Sequence, residues 1–357
     1  MNLRLVQSPT KVEWNQALNH LPNPHLLQTW EWGSLKSRYG WRATHRLWLD
    51  TETSKPRAVA LVLARPLGPL PLRIMYVPKG PILDYANRRL VELVLEHLET
   101  MAGTERAPYI KIDPDVDLNA EVGREVIATL RERGWRCSRE EIQFRNTILV
   151  DLTPTLDDLL MGMKAKWRYN VRLAMRKGVT VRAGTLDDLP LLYDMYEDTA
   201  RRGGFIIRPS RYYHDAWSLF METGLAQPLI AEVESRPTAM VIVYCFAGRA
   251  YYLYGASYGE HRDKMPNNLL QWEAMKWARQ QGCTVYDMWG APDELDKSDP
   301  MWGVYRFKIG FGGEFVERVG AWDYPPSPLL YRGYTVVAPR VLALMRWLHW
   351  HQVGHGS

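Results

Sequence analysis

Cysteine is scarce. Only Cys137, Cys245 and Cys283 occur in 357 residues, an odd number, far apart, with no CxxC pair. That excludes a disulfide framework and fits a reducing, cytosolic compartment with buried thiols. No apolar run approaches the ~20 residues that a bilayer-spanning helix needs. The opening stretch MNLRLVQSPTKVEW has no apolar core either, so no secretory signal is expected. No metal site is expected: no Cys/His cluster occurs, and His349 and His351 stand in the tail without nearby carboxylates. Neither a Walker loop nor a GxGxxG is found. Charge of one sign is only slightly short, with 45 Lys and Arg against 40 Asp and Glu. The net +5 mildly favours anionic partners such as phosphates, nucleic acid or an anionic membrane surface.

What is abundant is aromatic. Fifteen tryptophans and nineteen tyrosines supply flat faces for a core and for clefts that take bulky ligands. The length predicts two domains. A composition of 46% hydrophobic and 24% charged residues is that of a globular protein.

Periodicity gives an order of elements. Residues 43–49 and 57–65 read as strands around the polar turn TETSKP, and RIMYVPKGP as a third. Leu90, Val91, Val94, Leu95, Leu98 and Met101 recur at helical spacing, with Gly103 as the stop. PYIKIDPD is a strand, 120–133 a helix and IQFRNTILVDL a strand. The second half repeats the order: a strand at 179–182, helices near 187–201 and 210–223, and three strands in succession (PLIAEVE, TAMVIVYCFAG, RAYYLYGAS). A helix over 266–281 follows, with Pro266 in its first turn and Gly282 as stop, then the buried strand CTVYDMWG. Strand, helices, three strands, helix, strand is the order of the N-acetyltransferase-like (GNAT) fold. Its repetition predicts an α/β (α+β) chain of two tandem GNAT-like domains. Beyond Asp323 the chain is proline-rich, and RVLALMRWLHWHQ reads as a short amphipathic helix, either docked on the body or lying on a membrane surface.

Four constellations could carry chemistry. Lys308 stands between Phe307 and Ile309, with Gly303, Gly310, Gly312 and Gly313 around it. A fixed cation beside tightly turned backbone is what an acyl-transfer site needs to hold an oxyanion. An exposed charge between glycine turns is the plainer reading. Lys164, Arg168, Arg172 and Arg176 fall at i, i+4 spacing as one cationic stripe, with Trp167, Val171, Ala174 and Met175 opposite and free to pack. The stripe suits diphosphate or RNA backbone, or is simply a solvated helix face. GASYG, with Ser257 at its centre, matches a nucleophile elbow. An elbow starts its helix directly after the serine, whereas Glu260–Lys264 intervene here, so a hydrolase is disfavoured. A CoA site would need closely spaced glycines before a helix, and HRDKMPNN and GPILDYANRR lack them.

Together these segments resemble the FemABX family of peptidoglycan-bridge aminoacyltransferases. The likeness is carried by QTWEWGSLKSRYGW, IMYVPKGP, YIKIDPD, KWRYNVRLAMRKGV, YYLYGAS, LLQWEAMKWARQQG, YDMWG and GVYRFKIGFGG, in that order over most of the chain. The resemblance implies a first GNAT-like domain of residues 1–150 plus about 318–357 that binds the acceptor. It implies a second, 151–317, that holds the aminoacyl-donor and catalytic residues. It also implies transfer of an amino acid from aminoacyl-tRNA, a co-substrate, to a side-chain amine of the peptidoglycan stem peptide, with no further cofactor. The acceptor would be a UDP-linked muramyl pentapeptide or its lipid-linked form, met in the cytoplasm or at the inner face of the plasma membrane.

By motif position, Lys36, Arg208 and Tyr212 match acceptor contacts, with Arg211 as the alternative to Arg208. Tyr252 and Tyr254 match cleft tyrosines. Lys308, after Phe307, matches the lysine that steadies the tetrahedral intermediate and meets the tRNA end. Asp113 matches an aspartate considered as a base. No stretch between Arg182 and Gly224 is long enough for the coiled-coil arm of some members, so the chain resembles the armless ones. Two other classes stay open: a GNAT-fold N-acyltransferase with another donor such as a CoA thioester, and a non-catalytic RNA-binding module built on residues 164–177.

Overall fold

The computed structural model describes residues 2–68 and 71–337. The amphipathic helix expected within 340–352 lies outside them. Among the described residues the chain forms two compact units. One takes in the residues up to Asn23, Leu27–Ile142 and those from Val319; the other takes in Pro24–Leu26 and Gln143–Arg318.

The first unit runs β1 (Leu3–Val6), α1 (Lys11–His20), α2 (Trp30–Ser37), β2 (Arg42–Asp50), β3 (Pro56–Pro66), β4 (Arg73–Val77), β5 (Ile82–Leu83), α3 (Arg88–Thr104), β6 (Ile110–Ile112), α4 (Glu121–Glu132) and β7 (Arg136–Cys137). The second runs β8 (Thr147–Asp151), α5 (Leu156–Gly162), α6 (Ala165–Arg176), β9 (Val179–Ala183), α7 (Leu189–Gly203), α8 (Ser210–Glu222), β10 (Ala226–Val233), β11 (Arg236–Phe246), β12 (Arg249–Ser257), α9 (Pro266–Gln280), β13 (Val285–Asp287), α10 (Trp302–Lys308) and β14 (Glu314–Val316). The chain then returns to the first unit with β15 (Trp322–Tyr324) and α11 (Pro328–Arg332).

In the first unit one sheet has the order β1-β2-β3-β4-β6-β15-β7, with β5 on β3. α3 covers it with Leu90, Val91, Val94, Leu95 and Leu98, all buried as the helical spacing requires. Asn87 starts that helix by accepting from Leu90 N at 3.1 Å. The helix does not stop at Gly103; it runs through Thr104. β15, remote in sequence, is held between β6 and β7 by a buried ion pair in register, Lys111 Nζ to Asp323 Oδ1 at 2.9 Å.

The second unit's sheet has the order β14-β8-β13-β12-β11-β10-β9. β11 is buried continuously from Thr238 to Tyr244, as a strand covered on both faces must be. β12 and β13 run parallel but pair only through Arg249, Ala250 and Tyr251, so Tyr252–Ser257 continue without a β13 partner. β13 is shorter than its apolar sequence suggested, because the chain turns at Trp289 with φ of 57°.

The two tightest approaches in this unit that require glycine are at Gly310 and Gly255. A Cβ at Gly310 would lie 2.1 Å from the Trp167 ring, and one at Gly255 would lie 2.2 Å from the Tyr252 hydroxyl. Trp167 is itself fixed, its Nε1 donating to Phe307 O at 2.9 Å. Gly310→Ala must therefore push the indole off this bond. A loss of about 1–3 kcal/mol, as for overpacking elsewhere, is expected in urea unfolding. An unchanged midpoint would mean that α6 and α10 are not locked at this point.

Candidate active site

Where β12 and β13 part, a cavity of about 270 Å3 opens, lined by Tyr252, Gly255, Ser257, Gln271, Phe307 and Lys308 among others. Lys308 ends α10 rather than sitting in a glycine turn, and it is 6% exposed, so it is neither loop-borne nor a solvated charge. The glycines act one step away: Gly310 lies in the single 3-10 turn Ile309–Phe311 and admits Trp167. Lys308 Nζ donates to Trp289 O at 2.9 Å and Gly290 O at 2.7 Å. It also lies 5.5 Å from the centre of the Tyr252 ring, where the π face favours the cation. An ammonium has three N–H donors, so one remains for a ligand in the cavity. Burial pushes the Lys308 pKa down to about 7, and the charge of Asp287 partly opposes the shift.

Asp287 supports this arrangement. Its carboxylate accepts from Trp289 N at 2.8 Å, from Arg249 Nη2 at 2.5 Å and from the Thr147 hydroxyl. It thereby fixes the turn whose carbonyls receive Lys308. Tyr286 OH donates to Gln271 Oε1 at 2.9 Å, orienting one wall of the cavity. Sequence reasoning gave Asp287 and Gln271 no role. The available signal was an acid inside the otherwise apolar strand CTVYDMWG.

Lys308, Phe307 and Tyr252 line one cavity, but Tyr254 is elsewhere. The β11–β12 register shifts between Ile242 and Val243, opposite Tyr254 and Tyr252, leaving Leu253 as an extra residue. Strict alternation would put the two tyrosines on one face; the bulge separates them. Tyr254 packs among Tyr196, Tyr213 and Trp217, with ring centroids 5.7–5.9 Å away. Tyr212 is buried beside this cluster, and the Arg208 guanidinium lies 4.6 Å over its ring. Arg208 N donates to Tyr213 OH at 3.2 Å. Arg211 is exposed in the first turn of α8.

The cationic stripe is not uniform. Arg168 Nη1 donates to Met161 O at 2.6 Å and Met163 O at 2.7 Å, clamping the turn between α5 and α6. Lys164 is the N-cap of α6, its N–H donating to Gly310 O at 2.9 Å. Arg172 is exposed, and Arg176 lies 5.8 Å over the exposed Tyr169 ring. Met175, expected to pack, is 47% exposed; Asn170 is buried on that side instead.

Two expected residues belong to the first unit. Lys36, in the last turn of α2, has Nζ 4.4 Å from the Trp32 ring. Asp113 is buried, accepting from Tyr76 OH at 2.7 Å and Lys79 N at 2.5 Å. Burial raises its pKa to about 6 against the opposing Lys79 charge and these two hydrogen bonds. A larger groove of about 650 Å3 in the same unit, lined by Arg4, Glu13, His20 and Lys55 among others, contains none of the expected residues. Its Glu13 is spent in the capping box of α1.

Ser257 also lines the cavity, but its hydroxyl accepts only a long 3.5 Å bond from Asn267 Nδ2. The turn Arg262–Lys264 separates it from α9, unlike a nucleophile elbow.

Two sheets, each flanked by helices, with a splayed parallel strand pair and a buried lysine at the opening, define a tandem GNAT-like protein. A tandem GNAT protein from the clavulanic acid biosynthesis pathway superposes with a TM-score of 0.57 at 14% identity, over 92% of this chain and 99% of that one. The crystal structure of FemX superposes with a TM-score of 0.85 at 24% identity, over 93% and 99%. The FemAB family model matches residues 10–236 and 221–338, and the chain belongs to that family. Relatives include proteins named lipid II:glycine glycyltransferase. That of Staphylococcus epidermidis (strain ATCC 35984) is 27% identical over 388 residues, covering 90% of this chain and 92% of that protein. That of Staphylococcus aureus (strain USA300) is 25% identical over 405 residues, covering 93% and 95%.

Proposed function

We propose that the protein is an aminoacyltransferase of peptidoglycan interpeptide-bridge formation. Its donor is read as aminoacyl-tRNA and its acceptor as a side-chain amine of a muramyl-peptide precursor, UDP-linked or lipid-linked. The observation that carries this reading is the Lys308 ammonium, buried at the strand opening with one N–H to spare. The family and the relatives' names supply the substrate class.

The chemistry asks little of the protein. The amine lone pair attacks the ester carbonyl and a C–N bond forms. The carbonyl oxygen takes up negative charge, which Lys308 neutralises. The bond to the ribose oxygen then breaks, and the proton lost by the amine ends on that oxygen. The ester is already activated, so positioning and oxyanion support suffice, and no nucleophilic Ser or Cys is needed. In this reading Phe307 and Tyr252 shape the site around the ester. Arg208, Tyr212 and Lys36 are read as acceptor contacts, with Arg211 as the alternative cation, and Tyr254 supports Tyr212 through the aromatic cluster. Lys164, Arg172 and Arg176, beside exposed Tyr169, are read as the surface for tRNA phosphates. α7 and α8, of fifteen and thirteen residues, leave no long arm for that task.

The test is incubation with charged tRNAs and the UDP-linked or lipid-linked muramyl pentapeptide. Transfer abolished by RNase is the expected result. Transfer from acyl-CoA that RNase leaves intact would replace this reading with a CoA-dependent one. RNA binding with no transfer from any donor would make the chain a binding module.

Asp113 receives its own test. Both carboxyl oxygens already accept hydrogen bonds within the first unit. Asp113→Asn keeps an acceptor for Lys79 N, so turnover within about threefold of wild type is expected. A loss of about a hundredfold or more would make Asp113 the base after all.

A further inference from the structure

Between α7 and α8 the chain reads RRGGFIIRPSR, Arg201 to Arg211, and its tip carries apolar side chains outward. Ile206 is 100% exposed and Phe205 46%. This is not an unsupported strand of chain. Gly204 takes φ of 69°, Phe205 N donates to Ala200 O at 3.2 Å, and the Phe205 ring lies 6.1 Å from Tyr196. On the far side Arg208 N donates to Tyr213 OH. Both ends are braced, and Ile206 is held out between them.

Around the tip the charge is predominantly positive. From Asp198 to Arg211 there are four arginines and one acid, a net of 4 − 1 = +3. The acid, Asp198, is shared by Arg201 and Arg202 at 2.6 and 2.8 Å. An exposed branched aliphatic side chain with arginines before and after it in the chain matches a surface that is apolar beneath and anionic on top. An anionic bilayer has that layering, with phosphates at the level of the arginines and acyl chains below.

We propose that the α7–α8 loop is a membrane-contacting element that inserts Ile206 below the headgroups of an anionic bilayer. Arg201 and Arg211, both exposed, meet the phosphates. No helix among the described residues is long and apolar enough to cross a membrane, so such contact would be peripheral. The inference deepens the proposed function in one respect and rests on it there. A lipid-linked acceptor carries its diphosphate at headgroup level, the depth at which the loop would hold neighbouring Arg208. Membrane contact itself is measured without acceptor, so the two readings fail separately.

The full-length protein is mixed with vesicles of phosphatidylcholine alone, or with about 30% phosphatidylglycerol, and sedimented. Binding to the anionic vesicles only, weakened at about 0.5 M salt, is expected for the wild type. Ile206→Asp is expected to lower the partition coefficient about tenfold, and Ile206→Leu to restore it. Residues beyond Val337 could also bind vesicles, so a local probe is needed. Ile206→Cys, made with the exposed Cys137 changed to Ser and labelled with an environment-sensitive fluorophore, should shift to the blue on anionic vesicles and be quenched by brominated acyl chains. Wild-type protein that ignores anionic vesicles, a label that stays in water, or Ile206→Asp that binds unchanged would each overturn the proposal. Ile206→Asp that binds vesicles normally but loses turnover on the UDP-linked acceptor would make the loop a cover of the acceptor site instead.

Discussion

Lys308→Met is expected to lower kcat about a hundred- to a thousandfold while leaving acceptor binding nearly unchanged, the loss typical of one oxyanion donor. Met has similar length and fills the same space, but it offers no N–H to the ester oxygen. A burst or single-turnover assay with charged tRNA separates this loss from slow product release. The pH dependence identifies the cause. Folded Lys308 titrates near 7 because its charge is buried, against 10.5 for the free side chain. Between these values the unfolded chain holds a proton that the folded chain lacks. Raising the pH through this window therefore favours the folded state, whereas below pH 7 both states are protonated and Lys308 adds no slope. Urea unfolding of the wild type should show this rise from pH 7 upward, and Lys308→Met should lack it. Expressed per neutral acceptor amine, whose fraction itself rises with pH, the wild-type rate should decline above pH 7 as the ammonium loses its proton. A rate so expressed that climbs through pH 7 to 9 would instead assign Lys308 as a base, and full activity of the Met variant would remove it from the mechanism.

The elements that build this site were largely legible, because burial imposes simple patterns. α3 shows its apolar stripe, α9 opens on Pro266 and the strands β10, β11 and β12 follow one another as a meander. Their order alone gave the tandem GNAT-like architecture. What the pattern did not carry was local register and local turns. The extra residue at Leu253 separates Tyr252 from Tyr254, although their spacing of two reads as one face. The φ of 57° at Trp289 shortens β13 and aims two carbonyls at Lys308, although no glycine marks that position. Arg168 looked like one more cation of a phosphate stripe and turned out to clamp two carbonyls of its own chain. In each case the residue types were readable, but the local turn or register that decides what each side chain meets was not.

The second large effect follows from a partner distant in sequence. Asp287→Asn is expected to destabilise the protein by about 3–5 kcal/mol, because it removes the carboxylate from a buried ion pair and leaves the Arg249 charge without it. Activity should fall as well, for a different reason. The Asp287 charge holds the Lys308 pKa up against desolvation. Without it that pKa drops further, so at pH 7 less of the lysine is cationic, and the declining limb of the rate profile moves to lower pH. The two effects separate in the double variant Asp287→Asn, Arg249→Gln. Removing both charges should recover much of the lost stability, since no buried charge then lacks its partner. It cannot recover the position of the limb, because the field of Asp287 at Lys308 is still missing. Measured as unfolding midpoints and kcat against pH, a double variant that regains stability and keeps the acid-shifted limb would assign Asp287 as a positioning residue acting through Lys308. A limb that returns to its wild-type position along with stability would show that Asp287 only holds the fold.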